Sequence, residues 1–139
     1  MANIYKNAMF DLTTTNKTNV YTCPTNRTAL IKSIQVTNIS SGAIEVEAFT
    51  TDSSNSDAEH EIGHISLAAK TIDNLAKSVI VLESGDVLKL KAASANNIAG
   101  IVSYIEIFDE KSAWLSWYIY LKIWSMDHGN MLRKTLQMH

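Results

Sequence analysis

Residues 57–70 read DAEHEIGHISLAAK, and His60, Glu61 and His64 within them spell H-E-x-x-H. On a helix, positions i and i+4 share a face. Two imidazoles spaced this way can hold one zinc ion while the glutamate beside the first serves as general base. Such chemistry would make the chain a zinc-dependent peptidase with His60 and His64 as ligands and Glu61 as base. The site needs a helix beneath it, a third ligand and a cleft. Gly63 costs a helix interior about 1 kcal/mol relative to alanine. The extended form of the motif wants a glycine and then a histidine where this chain has Leu67 and Lys70. Glu83 has the separation of a downstream carboxylate ligand, but it sits in VLESGDVLKL, a strand–turn–strand pattern.

An extended backbone through the same residues explains more. Ile65 and Leu67 then share a parity with Gly63, and Ile62 lies opposite with the two histidines. In a regular strand His60 and His64 face the same way yet stand ~13 Å apart, at about 3.3 Å per residue, too far to share a metal. The expectation is therefore a strand, with no catalytic residue, no cofactor-binding residue and no metal ligand. The acidic, serine-rich loop TTDSSNSDAE lacks the spacing of acids and glycine that an EF-hand requires. Cys23, the single cysteine, precedes Pro24 and reads as a packed small side chain rather than a nucleophile.

The elements that would position these residues are strands throughout residues 1–111. In AIEVEAF, Ile44, Val46 and Ala48 alternate with Glu45 and Glu47; in DVLKLKA, Leu88 and Leu90 alternate with Lys89 and Lys91. TALIKSIQVTNIS alternates less cleanly, with Leu30, Ile34 and Val36 on the parity of Lys32, and GIVSYIEIF groups Ile101, Ile105 and Ile107. Turn chemistry interrupts at Ser40–Gly42, Ser53–Asp57, Ser84–Asp86 and Ala95–Asn97. Strands are expected near residues 4–12, 18–23, 28–39, 43–51, 60–68, 75–82, 86–93 and 98–108. Seven or eight short strands with polar turns and no long amphipathic helix predict an all-β, antiparallel β-sandwich or jelly-roll-like domain.

At 139 residues the chain is long enough for one core, and 46% apolar with 19% charged residues is the composition of a folded protein. A net charge of −2 offers no basic face for nucleic acid. The N-terminus lacks the apolar region of a secretory signal, and no apolar run reaches the length of a membrane span, so neither export nor a membrane partner is expected. Composition changes late in the chain. Residues 1–112 carry nine Lys/Arg against thirteen Asp/Glu, while the remainder carries three against one and holds all three tryptophans. We divide the chain into a β-sandwich domain, 1–111, and a C-terminal extension, 112–139.

The stretches VYTCPTNRTALIKSIQVTNI (20–39), ISLAAKTI (65–72) and VIVLESGDVLKLKAASANNIAGIVSYIEI (79–107) resemble a group of small virion structural proteins of tailed phages, marine and cyanobacterial ones especially. The likeness spans nearly all of residues 1–108. Its motifs are strands and turns, so it implies a fold family rather than a chemical site: accessory β-sandwich subunits on the capsid surface, tail or neck. It implies a non-enzymatic virion protein assembled in the host cytoplasm. Its partners would be copies of itself and other virion proteins, such as the major capsid protein or tail and neck proteins. A capsid decoration (cement) role is preferred over a tail, neck or fibre-associated one.

The extension departs from that pattern. AWLSWYIYLKIW (113–124) places Leu115, Trp117, Ile119, Leu121 and Ile123 on one face of a strand, while Trp114, Trp117, Leu121 and Trp124 align on a helix; aromatic and β-branched content favours the strand. Trp114, Leu115, Trp117, Tyr118, Ile119, Tyr120, Leu121, Ile123 and Trp124 are the candidate assembly contacts, packed either on their own sandwich or on a neighbouring subunit by strand addition.

Overall fold

Alternating residues become strands between positions 3 and 109, which with Lys122 are the residues the computed structural model describes. The strands are β1 (Asn3–Leu12), β2 (Thr18–Thr22), β3 (Arg27–Asn38), β4 (Ile44–Asp52), β5 (Ala58–Leu67), β6 (Ile72–Asn74), β7 (Ile80–Leu82), β8 (Val87–Ala92) and β9 (Ile98–Phe108). A 3-10 turn, Ser53–Asn55, joins β4 to β5; Asp52 caps it by accepting from the Ser54 amide at 3.1 Å. The expected all-β antiparallel sandwich is the observed architecture. The chain divides into two units, Met1–Ile107 and Phe108–His139. Of the second, Phe108, Asp109 and Lys122 are described, Lys122 exposed and in helical backbone. The nine candidate assembly contacts between Trp114 and Trp124 lie outside the described residues.

One sheet runs β1-β9-β3-β6, with β7 also paired to β3, and the other runs β2-β8-β4-β5. Successive strands change sheet except at the β4–β5 hairpin and the β6–β7 pair, which is the connectivity of a jelly roll. The core lies between the sheets, where Leu12, Ile31, Ile34, Val36, Val46, Leu88, Leu90, Ala92 and Val102 are fully buried. Each of the Leu, Ile and Val side chains contributes about 1.5–3 kcal/mol on burial.

Two expectations need correcting. The strand expected at 75–82 forms only at its end, as β7, while β6 lies just before that range; each pairs with a different part of β3. Between them Asn74 Oδ1 accepts from the amides of Ile34 at 2.8 Å and Ala76 at 3.0 Å, taking over the pairing that a continuous strand would make. Leu75 and Ala76 turn into the core there. Next, the core-facing residues of β3 change parity along its length. Ala29 and Ile31 are buried opposite β7, whereas Ile34, Val36 and Asn38 are buried beyond Lys32, so Leu30 does not belong with Ile34 and Val36. On β9, Ile101, Ile105 and Ile107 share a face as expected, and it is the opposite face, with Ile98, Val102, Tyr104 and Glu106, that turns inward. A sequence pattern could not choose between these faces, because both carry large apolar side chains.

Gly100 marks a close approach of β9 to β3. A Cβ built there would stand 2.0 Å from the Gln35 carbonyl oxygen and 2.7 Å from the Phe10 ring, so β9 can pass β3 only with glycine at this point. Asn38 is fully buried and holds the turn after β3. Its amide nitrogen donates to the carbonyls of Gly42 and Leu67, each at 2.9 Å, and its oxygen accepts from the Ser40 amide at 2.9 Å and hydroxyl at 2.7 Å.

Candidate functional site

The H-E-x-x-H residues lie in β5, an edge strand, and their backbone is extended rather than helical. The strand is not regular. Gly63 pairs with Ala48 and Glu61 with Phe49, so Ile62 is an extra residue, a β-bulge in the middle of the motif. The bulge changes which residues share a face. His64 sits opposite Glu47, and His60 sits opposite Thr50, three positions further along the regular strand β4. Odd and even positions of β4 face opposite ways, so the two histidines lie on opposite faces of the sheet. The expectation that they point the same way is corrected by this one inserted residue, and the separation that excludes a shared metal is reinforced.

The same bulge brings Glu61 onto the face of His64, three residues away in sequence. There His64 Nδ1 lies 2.8 Å from Glu61 Oε1 and 3.7 Å from Glu47 Oε1, and His64 Nε2 lies 3.8 Å from Glu45 Oε2. Glu45 and Glu47 alternate on β4, with Glu47 opposite both His64 on β5 and Lys91 on β8. One donor atom each from Glu47, Glu61 and His64 falls within 4.8 Å of the others. The hydrogen bond to Glu61 chiefly, and the charges of Glu47, Glu61 and Glu45 with it, raise the His64 pKa against a smaller desolvation effect. Glu47 is partly buried, whereas Glu61 and His64 are more open. A cavity of about 530 Å³ opens beside them, lined by Glu45, Glu47, Lys91, Thr15 and Asn16 with Ala92 and Ala93. Gly63 faces inward, where a Cβ would meet Leu75 Cδ2 at 3.4 Å and Ala48 Cβ at 3.6 Å.

A second polar cluster lies between the sheets. Glu106, 2% exposed, accepts from the Tyr21 hydroxyl at 3.0 Å, hydrogen-bonds Arg27, and faces Lys6 Nζ at 3.4 Å. Burial alone would push its carboxyl up; Arg27, Tyr21 and Lys6 outweigh burial and hold it below the usual carboxylate range. Tyr21 is shifted the opposite way, upward, by its own burial and by bonding to that carboxylate. Its ring packs on Tyr104 at 4.2 Å between centroids.

β1 is likewise an edge strand, the outermost of the other sheet on its β9 side, and its Tyr5 and Met9 are 79% and 77% exposed on the outer face. Beside Met9 a hollow of about 530 Å³ is lined by Phe10, Asp11, Ala99, Gly100 and Ile101. Reasoning from sequence did not mark Tyr5 or Met9. Nor did it join Glu47 and Glu61 to His64, since neither the strand order nor the bulge is written in the local pattern.

No protein-family model matches the chain, and no curated protein sequence matches it. Solved structures do. A chain of the acid-stable capsid of Helicobacter pylori bacteriophage KHP30 is 14% identical over 76% of this chain and 87% of its own, with a TM-score of 0.51. A chain of the disulfide-linked Bacillus endospore appendages is 8% identical over 78% of this chain and 89% of its own, at 0.48. A pentameric capsid protein from metagenomic phage sequences is 15% identical over 76% and 61%, at 0.40. At these identities the KHP30 likeness is one of fold, and it places the chain among two-sheet β-sandwiches of the kind found in a phage capsid.

Proposed function

We propose that this chain is a structural subunit of a phage particle, without enzymatic activity, and that it serves as a capsid decoration (cement) protein. The observation that carries the reading is the fold: a jelly-roll-like sandwich shared with a KHP30 capsid chain over three quarters of its length. The resemblance of residues 20–39 and 79–107 to small virion proteins of tailed phages points the same way. The mechanism is mechanical. A rigid sandwich bridges neighbouring subunits and adds buried contact area to the shell, and no step of chemistry is needed. The peptidase alternative loses its support, because His60 and His64 stand on opposite faces of an extended strand.

The edges at β5 and β1 differ in a way that suits one-sided assembly. β5 is blunted by its bulge and by Glu59, His60 and Glu61, the devices that keep an edge from pairing indiscriminately. β1 presents a ten-residue edge with Tyr5 and Met9 exposed, a surface suited to a neighbouring subunit. The apolar stretch 113–124 supplies a second contact. The test is to purify particles of the encoding phage, identify this chain in them by mass spectrometry, and locate it by particle reconstruction. Density for the sandwich on the outer capsid surface supports the decoration role; density at the tail or neck replaces it; absence from the particle overturns the virion reading.

A further inference from the structure

The charged face of the β4–β5 hairpin gathers an imidazole and several carboxylates on two paired strands. Three carboxylates, Glu45, Glu47 and Glu61, surround one imidazole, while a single ammonium, that of Lys91, lies opposite Glu47 across the β4–β8 pairing. Like charges on neighbouring strand positions repel, and a cation among them relieves that repulsion. The donors are of mixed type, one nitrogen and two or three carboxylate oxygens, a combination that suits zinc and related first-row divalent ions rather than calcium. They are also carried on paired strands: Glu47 opposite His64, and Glu61 brought alongside by the Ile62 bulge.

We propose that His64, Glu47 and Glu61 form a divalent transition-metal site, of zinc type, on the outer face of the four-stranded sheet. Glu45 stands within reach of the other ring nitrogen and closes the same patch. The site uses only one of the two motif histidines and takes its carboxylates from β4 and from beyond the bulge, so it differs in ligands and geometry from a helical H-E-x-x-H centre. It also departs from the expectation, drawn from the sequence, that the chain holds no metal ligand. Binding through Nδ1 replaces the hydrogen bond between His64 and Glu61, and the imidazole must lose its second proton to coordinate.

The experiment titrates chelator-stripped full-length protein with zinc ion alone by isothermal calorimetry at pH 7.5, with folding of each variant checked by circular dichroism. One zinc per chain is expected, weakened by at least about tenfold in His64→Ala and in Glu47→Gln, while His60→Ala binds as the parent does. In parallel, the His64 ring signals in the proton NMR spectrum shift on zinc addition and those of His60 do not. The proposal is overturned by no binding up to millimolar zinc, by binding that survives both His64→Ala and Glu47→Gln, or by binding that His60→Ala abolishes.

Discussion

Tyr21 on β2 and Glu106 on β9 meet across the sandwich, the tyrosine hydroxyl donating to the carboxylate at 3.0 Å from the facing sheet. The carboxylate is 2% exposed and also engages Arg27 and Lys6, so one buried charge ties β1, β2, β3 and β9 together. Removing one partner of a buried pair leaves the others desolvated without compensation. Glu106→Ala is expected to destabilise the fold by about 3–5 kcal/mol in urea denaturation. Tyr21→Phe, which keeps the ring on Tyr104, should cost about 1–3 kcal/mol. A Glu106→Ala loss below about 1 kcal/mol would mean that the cluster is structurally idle.

The same carboxylate sets an acid limit. Its folded pKa lies below its ordinary value near 4.5, so the folded state holds it ionised where the unfolded chain begins to bind a proton. The resulting stability is fully present above the unfolded value and is lost as pH falls through the folded one. Melting temperature recorded from pH 7 to pH 2 should drop below about pH 4.5, and the drop should be shallower in Glu106→Gln. Parallel curves for the two proteins would contradict this assignment.

Gly100 and Gly42 form a matched pair of opposite expectation. At Gly100 the added methyl of alanine meets the Gln35 backbone carbonyl, which cannot swing aside as a side chain would. Gly100→Ala should lose about 3 kcal/mol or fail to fold, the severe end of overpacking. Gly42 has nothing within 4 Å of its built Cβ, so Gly42→Ala should remain within about 0.5 kcal/mol of the parent. Thermal unfolding of both variants decides the point.

Tyr5 and Met9 give the assembly reading a surface that mutation can address. Met9→Lys places a charge on the outer face beside the free β1 edge without touching the core, since Met9 is 77% exposed. Light scattering should report a smaller assembly for Met9→Lys combined with Tyr5→Lys, with the melting temperature of the isolated chain nearly unchanged. An unaltered particle mass would remove β1 from the contact surface.

Much of the fold was legible in one dimension. Alternation in AIEVEAF and DVLKLKA identified strands whose inward residues, Ile44, Val46, Leu88 and Leu90, are buried, because a side chain's parity is a local property of extended backbone. Legibility failed where both parities were apolar, as in β9, and where a strand was broken by a side chain standing in for backbone, as Asn74 does between β6 and β7. It failed again at β3, whose core face changes parity partway along the strand.

His60-Glu61-Ile62-Gly63-His64 shows the division most clearly. The residue types alone determined that these positions favour a strand over a helix, through Gly63 and the alternating neighbours Ile65 and Leu67. Which of them share a face was decided by tertiary structure, through pairing with β4: one unpaired residue, Ile62, rotates the strand by half a period. That rotation separates the two histidines and gathers Glu47, Glu61 and His64 instead. Register is a relation between two strands, so no single segment carries it. The charges that assemble on this face came from parts of the chain whose nearness depends on the hairpin having closed.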